Sequence, residues 1–271
     1  MAIVETERGD GIMIIRMNRP ERLNALGNDL RNALADAFCE FRDSDDLEVA
    51  IYTGTGRAFC AGEDMKESLE RGRPGLSETI RENPFSGGLL DKVVIGAVNG
   101  YAMGGGFMLV EQCDLRVAVR GAIFEMSEAK RWLLGGYSHG HMNNVPHAIA
   151  TEMAFAYRFD AERLYQVGFL NRLVDPEDLL PESKRMAEHL LTLPPASRVN
   201  TLAMMRAMRP EPSIEQKLLA ERLGDHGDPN DLMESRAAFA EKRSPVFTGW
   251  LDPADRLNTP SLESIRQESG R

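Results

Sequence analysis

The chain has 271 residues, 42% of them hydrophobic and 27% charged, which is an ordinary balance for a soluble globular protein. This length allows one large domain, or a main domain with a smaller appendage. The net charge of −10 argues against nucleic acid as the main partner, and no apolar run approaches the roughly 20 residues of a membrane span.

The predicted elements begin with a strand pair and a long helix. Residues 2–7 and 11–17 predict a hairpin that turns at Gly9-Asp10-Gly11. A helix follows to about Asp43, and Asn28 is its expected N-cap. Apolar residues at helical spacing form its predicted core face, which consists of Leu30, Leu34, Phe38 and Phe41.

A buried strand is predicted at residues 48–53, and the chain becomes polar and rich in Gly and Pro at residues 68–88. Two interpretations of this polar segment are open. It is either a mobile segment near a site or a plain surface loop.

Residues 92–114 are the most distinctive stretch. The apolar run 93–98 predicts a buried strand, and Gly104, Gly105 and Gly106 follow it and lead into an apolar helix. Consecutive glycines allow positive φ and close approach to the backbone, and the helix start presents unpaired N–H groups. The stretch therefore predicts either donors for an oxyanion or a tight turn that packs a helix against a strand.

The second half of the chain is mainly helical. Strands are predicted at 115–119, 122–124 and 170–174, and Pro194-Pro195 breaks the helical pattern, which then continues to about Lys242. The last twenty or so residues are polar and show no periodicity. We therefore divide the chain into a core at 1–195, a helical region at 196–250 and a polar, frayed tail at 251–271.

Three side-chain patterns in the sequence suggest candidate catalytic or metal-binding residues. Residues 136–140 match the G-x-S-x-G nucleophile elbow around Ser138, but a short apolar run precedes them and Pro146 interrupts any following helix. A serine hydrolase is therefore disfavoured. His139, His141 and His147 lack the i, i+4 spacing of a helical metal site, so no metal is predicted and a pocket wall or surface loop is favoured.

Glu128 lies in a different context, because it directly follows a strand-like run and precedes an apolar patch. A partly desolvated carboxyl group there would suit proton transfer at carbon. The alternative is a solvated or ion-paired glutamate. The three cysteines (Cys39, Cys60 and Cys113) have no metal-like spacing, and no cleavable apolar region opens the chain, so we expect a cytoplasmic protein with reduced thiols.

Six segments in this order resemble the enoyl-CoA hydratase/isomerase (crotonase) family. The resemblance runs from the first strand to about Gly249. It implies an α/β fold, a crotonase-like spiral of ββα units with a C-terminal helical trimerisation region, assembled as a homotrimer or a dimer of trimers. The segments are NRPERLNAL (18–26), TGTGRAFCAGEDMKE (53–67), VIGAVNGYAMGGGFMLVEQCDLRVA (94–118), GAIFEMSE (121–128), RLYQVGFLNRLV (163–174) and AAFAEKRSPVFTG (237–249).

The resemblance also implies the site. The N–H groups of Glu63 and Gly105 would bind the thioester oxygen as enolate charge develops, and Glu128 would be the acid/base. Coenzyme A would enter as part of an acyl-CoA substrate, without a prosthetic group, a metal, nucleic acid or a membrane. The implied CoA-binding positions are Arg22, Leu23, Ala25, Ala61, Asp64, Met65 and Lys66, with Phe239 and Lys242 reaching the CoA of a neighbouring subunit.

This chain departs from the family pattern at Met108. Family members that add water use two glutamates, and the first of these positions is occupied here by Met108. A single carboxylate can shuttle one proton between two carbons, which favours Δ3–Δ2 isomerisation narrowly over hydration. The alternatives are hydration with Glu111 or Glu63 as second acid, a CoA-thioester hydrolase, and a non-catalytic acyl-CoA-binding scaffold. Tyr137, His139 and His141 would reshape the acyl pocket or add an acid/base.

Overall fold

A computed structural model describes residues 2–72 and 80–269. Its strands are β1 Val4–Gly9, β2 Ile12–Met17, β3 Val49–Gly54, β4 Ala58–Cys60, β5 Val93–Val98, β6 Tyr101–Met103, β7 Leu115–Val119, β8 Ile123–Glu125, β9 Arg158–Asp160 and β10 Arg172–Val174. Its α-helices are α1 Asn28–Asp43, α2 Met65–Arg71, α3 Gly105–Gln112, α4 His139–Met142, α5 His147–Ala154, α6 Ala161–Gln166, α7 Leu179–Leu191, α8 Pro195–Ala207, α9 Ile214–Gly224, α10 Asn230–Glu241 and α11 Leu262–Ser269.

The described residues cluster into two compact units, of which the first contains residues 2–64, 80–125 and 158–209. This unit holds both sheets. The larger sheet has the order β1-β2-β3-β5-β7-β10, with β1 antiparallel to β2 and the other pairs parallel, and the smaller has the order β4-β6-β8-β9. Successive pairs β3/β4, β5/β6 and β7/β8 each place one strand in each sheet. The predicted α/β spiral of ββα units is therefore confirmed.

The larger sheet is buried because its central strands are apolar on both faces. All six residues of β3 and all six of β5 are buried, as expected for parallel strands covered on both sides. The predicted face of α1 is buried, and Phe38 packs edge-on against Tyr52 with 5.3 Å between ring centroids. The predicted N-cap is wrong by one residue. Gly27 takes the extended N-cap conformation, and Asn28 is the first helical residue.

Three strands were not predicted, namely β4, β6 and β9. Each has three residues, which is too short for an alternation of apolar and polar residues to be recognised. Two of them matter for function, because β4 and β6 lead directly into the two loops that contain Glu63 and Gly105.

The second unit contains residues 65–72, 126–157 and 210–269, and its α-helices pack in the pairs α2 with α10, α4 with α5, and α9 with α11. The segment beyond residue 250, predicted to be without regular structure, contains helix α11. Ser261 and Ser264 exchange backbone-to-side-chain hydrogen bonds at its start, and Ile265 is buried. The domain boundaries at 195 and 250 stay predictions.

The predicted polar loop at 68–88 is partly helical, since α2 extends to Arg71. Residues 73–79 of that loop lie outside the described residues. Within the described ranges, no helix is both long and apolar enough to cross a membrane.

Candidate active site

The loop after β4 is held against the segment 23–26 by backbone hydrogen bonds. Ala61 N donates to Leu23 O at 3.0 Å, and Leu26 N donates to Gly62 O at 2.7 Å. Leu26 and Glu63 thus form a parallel β-bridge. In such a bridge the residues on either side of Glu63 make the hydrogen bonds to Leu26. The N–H of Glu63 itself therefore points to the other side of the loop.

The second loop joins β6 to α3 through the triple glycine. Gly104 N donates to Glu125 O at 2.8 Å, and Gly104 has φ 49° and ψ −121°, a conformation that side chains disfavour. Gly105 is the first residue of α3, and its N–H has no acceptor among the residues that the structure describes. A helix start leaves such donors available to a ligand.

These two loops are in contact, and Gly62 and Gly106 leave no room there for a side chain. An ideal Cβ placed on Gly62 would lie 3.2 Å from Gly105 N, and one on Gly105 would lie 3.9 Å from Glu63 N. A Cβ on Gly106 would lie 2.1 Å from Cys60 O, which no side chain can tolerate. The backbone donors of Glu63 and Gly105 therefore lie on adjoining segments, a geometry suited to binding one oxyanion.

Beside this junction, the predicted CoA-binding residues of the first unit are linked to one another by hydrogen bonds. Asp64 is buried and accepts hydrogen bonds from Arg22 Nη2 at 2.9 Å and Arg19 Nη2 at 3.2 Å. Leu23 takes a left-handed conformation with φ 52°. Sequence reasoning missed Asn24, which is fully buried and ties the segment to β4 through Ala58 O and Phe59 O. The linked residues are Arg22, Leu23, Ala25, Ala61 and Asp64, of which Ala25 and Asp64 are buried.

Helix α3 contains both Met108 and the candidate replacement acid Glu111. Met108 is half-buried, and Glu111 is buried at 3% exposure. The buried guanidinium of Arg116 donates to Val110 O and Glu111 O at 3.0 and 2.8 Å. Burial lowers the pKa of Arg116 to about 10, and the Glu111 carboxylate opposes that shift. Glu111 therefore lies in the field of a structural arginine that caps the end of α3.

In the second unit, Glu128 begins a tight turn. The N–H groups of Arg131 and Trp132 both donate to Glu128 O, at 2.8 and 2.7 Å. The residue is half-buried, and its carboxylate oxygen Oε2 is shielded from solvent. The structure therefore shows this carboxyl group partly shielded from solvent, and its role in proton transfer stays a prediction.

The segment after that turn contains the side chains that were expected to modify the pocket. Tyr137 is exposed at 39%, His139 is half-buried, and the ring of the exposed His141 lies 5.2 Å from that of His147. Bends, and no strand, precede Ser138 within the described residues. Gly140 packs against Ala150, so close helix packing accounts for this glycine.

The remaining predicted CoA positions lie on two packed helices of the second unit. Met65 and Lys66 begin α2, and Phe239 lies on α10 with 55% exposure, under the Arg131 guanidinium at 5.0 Å. Lys242 ends α10 in a left-handed conformation. No group of three or more potential metal ligands occurs in the part of the chain that the structure describes.

The chain belongs to the enoyl-CoA hydratase/isomerase family, because the sequence model of that family matches residues 7–250. A probable enoyl-CoA hydratase of Mycobacterium bovis is 34% identical over 252 residues, which span 89% of this chain and 96% of that protein. A carnitinyl-CoA dehydratase of Salmonella typhi is 34% identical over 265 residues, spanning 89% and 97%. The crystal structure of a carnitinyl-CoA hydratase from Mycobacterium avium superposes with a TM-score of 0.75 at 26% identity and covers 92% of this chain and 99% of that one.

Proposed function

We propose that the chain isomerises the double bond of an unsaturated acyl-CoA between the Δ3 and Δ2 positions through a thioester enolate. The backbone N–H groups of Glu63 and Gly105 bind the thioester oxygen, and Glu128 removes a proton from one carbon and returns it to another. The observation that carries the proposal is the pair of adjoining backbone segments around Gly62 and Gly105, two residues without side chains. Donors aimed at a developing oxyanion lower the barrier most, and removal of one typically costs about 3–4 kcal/mol.

The choice of isomerisation rests on Met108. Hydration needs one group to activate water and another to supply the α-proton, whereas isomerisation needs a single group that shuttles one proton. Met108 has no proton to move. Glu111, the nearest carboxylate along α3, is buried beside the Arg116 guanidinium, which favours a structural role for it.

Hydration or dehydration is the second candidate, and the names of the relatives favour it. Proteins 34% identical to this chain are named as a probable hydratase and a dehydratase. For this reaction Glu63 would be the second acid, since its half-buried side chain extends from the loop that supplies a backbone donor. Hydrolysis of the thioester and acyl-CoA binding without turnover are outcomes that the test below also detects.

Coenzyme A is proposed to bind as part of the substrate, with no prosthetic group. In the first unit, Arg19 and Arg22 present two guanidinium groups beside Asp64, and a local basic site of this kind suits the CoA phosphates despite the acidic chain. In the second unit, Lys66 and Lys242 add positive charge. A trimeric assembly and a cytoplasmic location remain part of this proposal.

The test is turnover in D2O followed by NMR, with trans-2-enoyl-CoA and 3-enoyl-CoA as separate substrates. We expect deuterium to enter the acyl chain and the double bond to move, with no 3-hydroxyacyl product. Formation of a 3-hydroxyacyl product from the 2-enoyl substrate would show that the reaction is hydration and not isomerisation. Free CoA would indicate a hydrolase, and saturable binding without turnover would indicate a scaffold.

A further inference from the structure

Arg236 on α10 is the largest fully buried side chain among the described residues, with 0% exposure. An arginine at a helix position is normally exposed, because burial of a guanidinium is costly unless its donors are satisfied. An arginine buried to this degree usually holds other segments in place. Its contacts show which segments these are.

The Arg236 guanidinium joins three segments of the second unit. Nη1 donates to Arg131 O at 3.0 Å and to Leu232 O at 2.7 Å, and Nε donates to Ser68 Oγ at 3.2 Å. Its Cζ atom lies 4.7 Å from the ring centroid of Trp132, within cation–π range. The contacted segments are α10 itself, helix α2 and the turn that begins at Glu128.

The turn is held at both ends. At its start, Glu128 O accepts the N–H groups of Arg131 and Trp132. At its end, Arg131 O accepts from Arg236 Nη1 and, at 3.2 Å, from Ser235 Oγ. The orientation of the Glu128 backbone therefore depends on two neighbouring side chains of α10, more than 100 residues further along the chain.

We infer that Arg236 is a positioning residue for Glu128, and that it fixes the turn carrying this carboxylate to the helix carrying Met65 and Lys66. The inference rests on the proposed role of Glu128. The hydrogen bonds of Arg236 and its stacking on Trp132 fix the turn.

The first experiment tests the contact without any substrate. The chain has two tryptophans, so Trp250→Phe leaves Trp132 as the single indole reporter. In that background, Arg236→Met and Arg236→Lys are expected to shift the Trp132 emission maximum. The matched control is Arg266→Met, which removes an exposed cation paired with Glu215 and should leave the emission unchanged. Unchanged emission in both Arg236 variants would overturn the assigned contact.

The second experiment tests the consequence for catalysis. Arg236→Met should lower kcat by about 10²-fold, the effect expected of a misplacement of about 1 Å, while KM changes much less. Arg236→Lys keeps a cation but cannot reach every acceptor, so its kcat should lie between those of the unmodified protein and Arg236→Met.

The results separate the positioning role from a structural one and from the proposed function. A folded Arg236→Met protein with wild-type kcat, or with KM changed as much as kcat, would overturn the inference. If that variant does not fold, wild-type kcat in Arg236→Lys would do the same. If the unmodified protein turns over no enoyl-CoA, the proposed function fails, and the Trp132 emission still decides whether the contact exists.

Discussion

The two regions to which we assign chemistry are built in opposite ways. In the first unit, the junction around Gly62 and Gly105 is made of backbone, and the added Cβ atoms tested there would meet neighbouring atoms. In the second unit, the turn that begins at Glu128 is made rigid by side chains, chiefly Arg236, Ser235 and Trp132. The first region needs side chains to be absent, and the second needs particular side chains to be present.

This difference sets how each region responds to change. A methyl group added at the junction meets backbone that is itself part of a sheet, so the neighbouring structure cannot relax cheaply. Replacing the Glu128 carboxyl group by an amide of nearly the same shape leaves the fold in place and alters charge at one side chain. We therefore expect changes at the junction to reduce stability together with activity, and a change of the Glu128 carboxyl group to reduce activity alone.

The largest effect is expected from Glu128→Gln. The amide has nearly the same shape but cannot accept the proton, so kcat should fall by about 10³-fold with little change in the melting temperature. Steady-state kinetics with 3-enoyl-CoA measures this, and Glu177→Gln at an exposed position is the control. Full activity in Glu128→Gln would remove this residue from the mechanism.

Gly106→Ala tests the junction. The new Cβ would lie 2.1 Å from Cys60 O, and we expect a loss of about 3 kcal/mol or more in the free energy of unfolding. Thermal melting should show a decrease of about 6–12 °C for a chain of this size. Gly9→Ala, where nothing lies within 4 Å of the added Cβ, is the matched control.

Cys60 offers a second measurement for the same variant. Burial raises the pKa of its thiol to about 12, so it should resist alkylation in the folded protein. In Gly106→Ala the rate of Cys60 alkylation should increase, because the junction opens more often. An unchanged rate together with an unchanged melting temperature would show that the junction tolerates a side chain.

The smallest effect is expected at Glu234, which holds the chain after α10. A hydrogen bond from Arg243, and then one from Val246 N, lower the pKa of Glu234 to about 2 from an ordinary 4.5. A carboxyl group with a lowered folded-state pKa stabilises the fold above the ordinary value, and this contribution is lost as the pH falls towards about 2. In Glu234→Gln the urea concentration at the unfolding midpoint should therefore decrease less steeply as the pH falls from about 4.5 towards about 2. Glu177→Gln should leave this decrease as steep as in the unmodified protein. An equally steep decline in Glu234→Gln would contradict the assignment.

The sequence predicted the elements that depend on local pattern. Continuous apolar runs predicted β5 with its observed bounds, and helical spacing predicted the buried face of α1. The triple glycine indicates a backbone position with positive φ or close approach of another group. The roles of Glu63, Gly105 and Glu128 in catalysis stay predictions that the experiments above test.

What the sequence could not predict depends on contacts between distant residues. The approach of Gly62 to Gly105 is set by how β4 and β6 pair, and both strands are too short to be recognised. Arg236 was overlooked because an arginine in a helix normally indicates a surface position. Its partner Ser68 lies 168 residues away along the chain, and no local pattern links the two.

The most direct test of the central claim is the ratio of hydration to isomerisation in the unmodified protein and in Met108→Glu. If the absent acid decides the chemistry, the unmodified protein should isomerise and form no detectable 3-hydroxyacyl-CoA, whereas Met108→Glu should form it, so that the ratio of 3-hydroxyacyl-CoA to isomerised product increases. NMR on separate reactions with each enoyl-CoA substrate measures both products. Hydration by the unmodified protein, with a ratio that Met108→Glu leaves unchanged, would contradict the account.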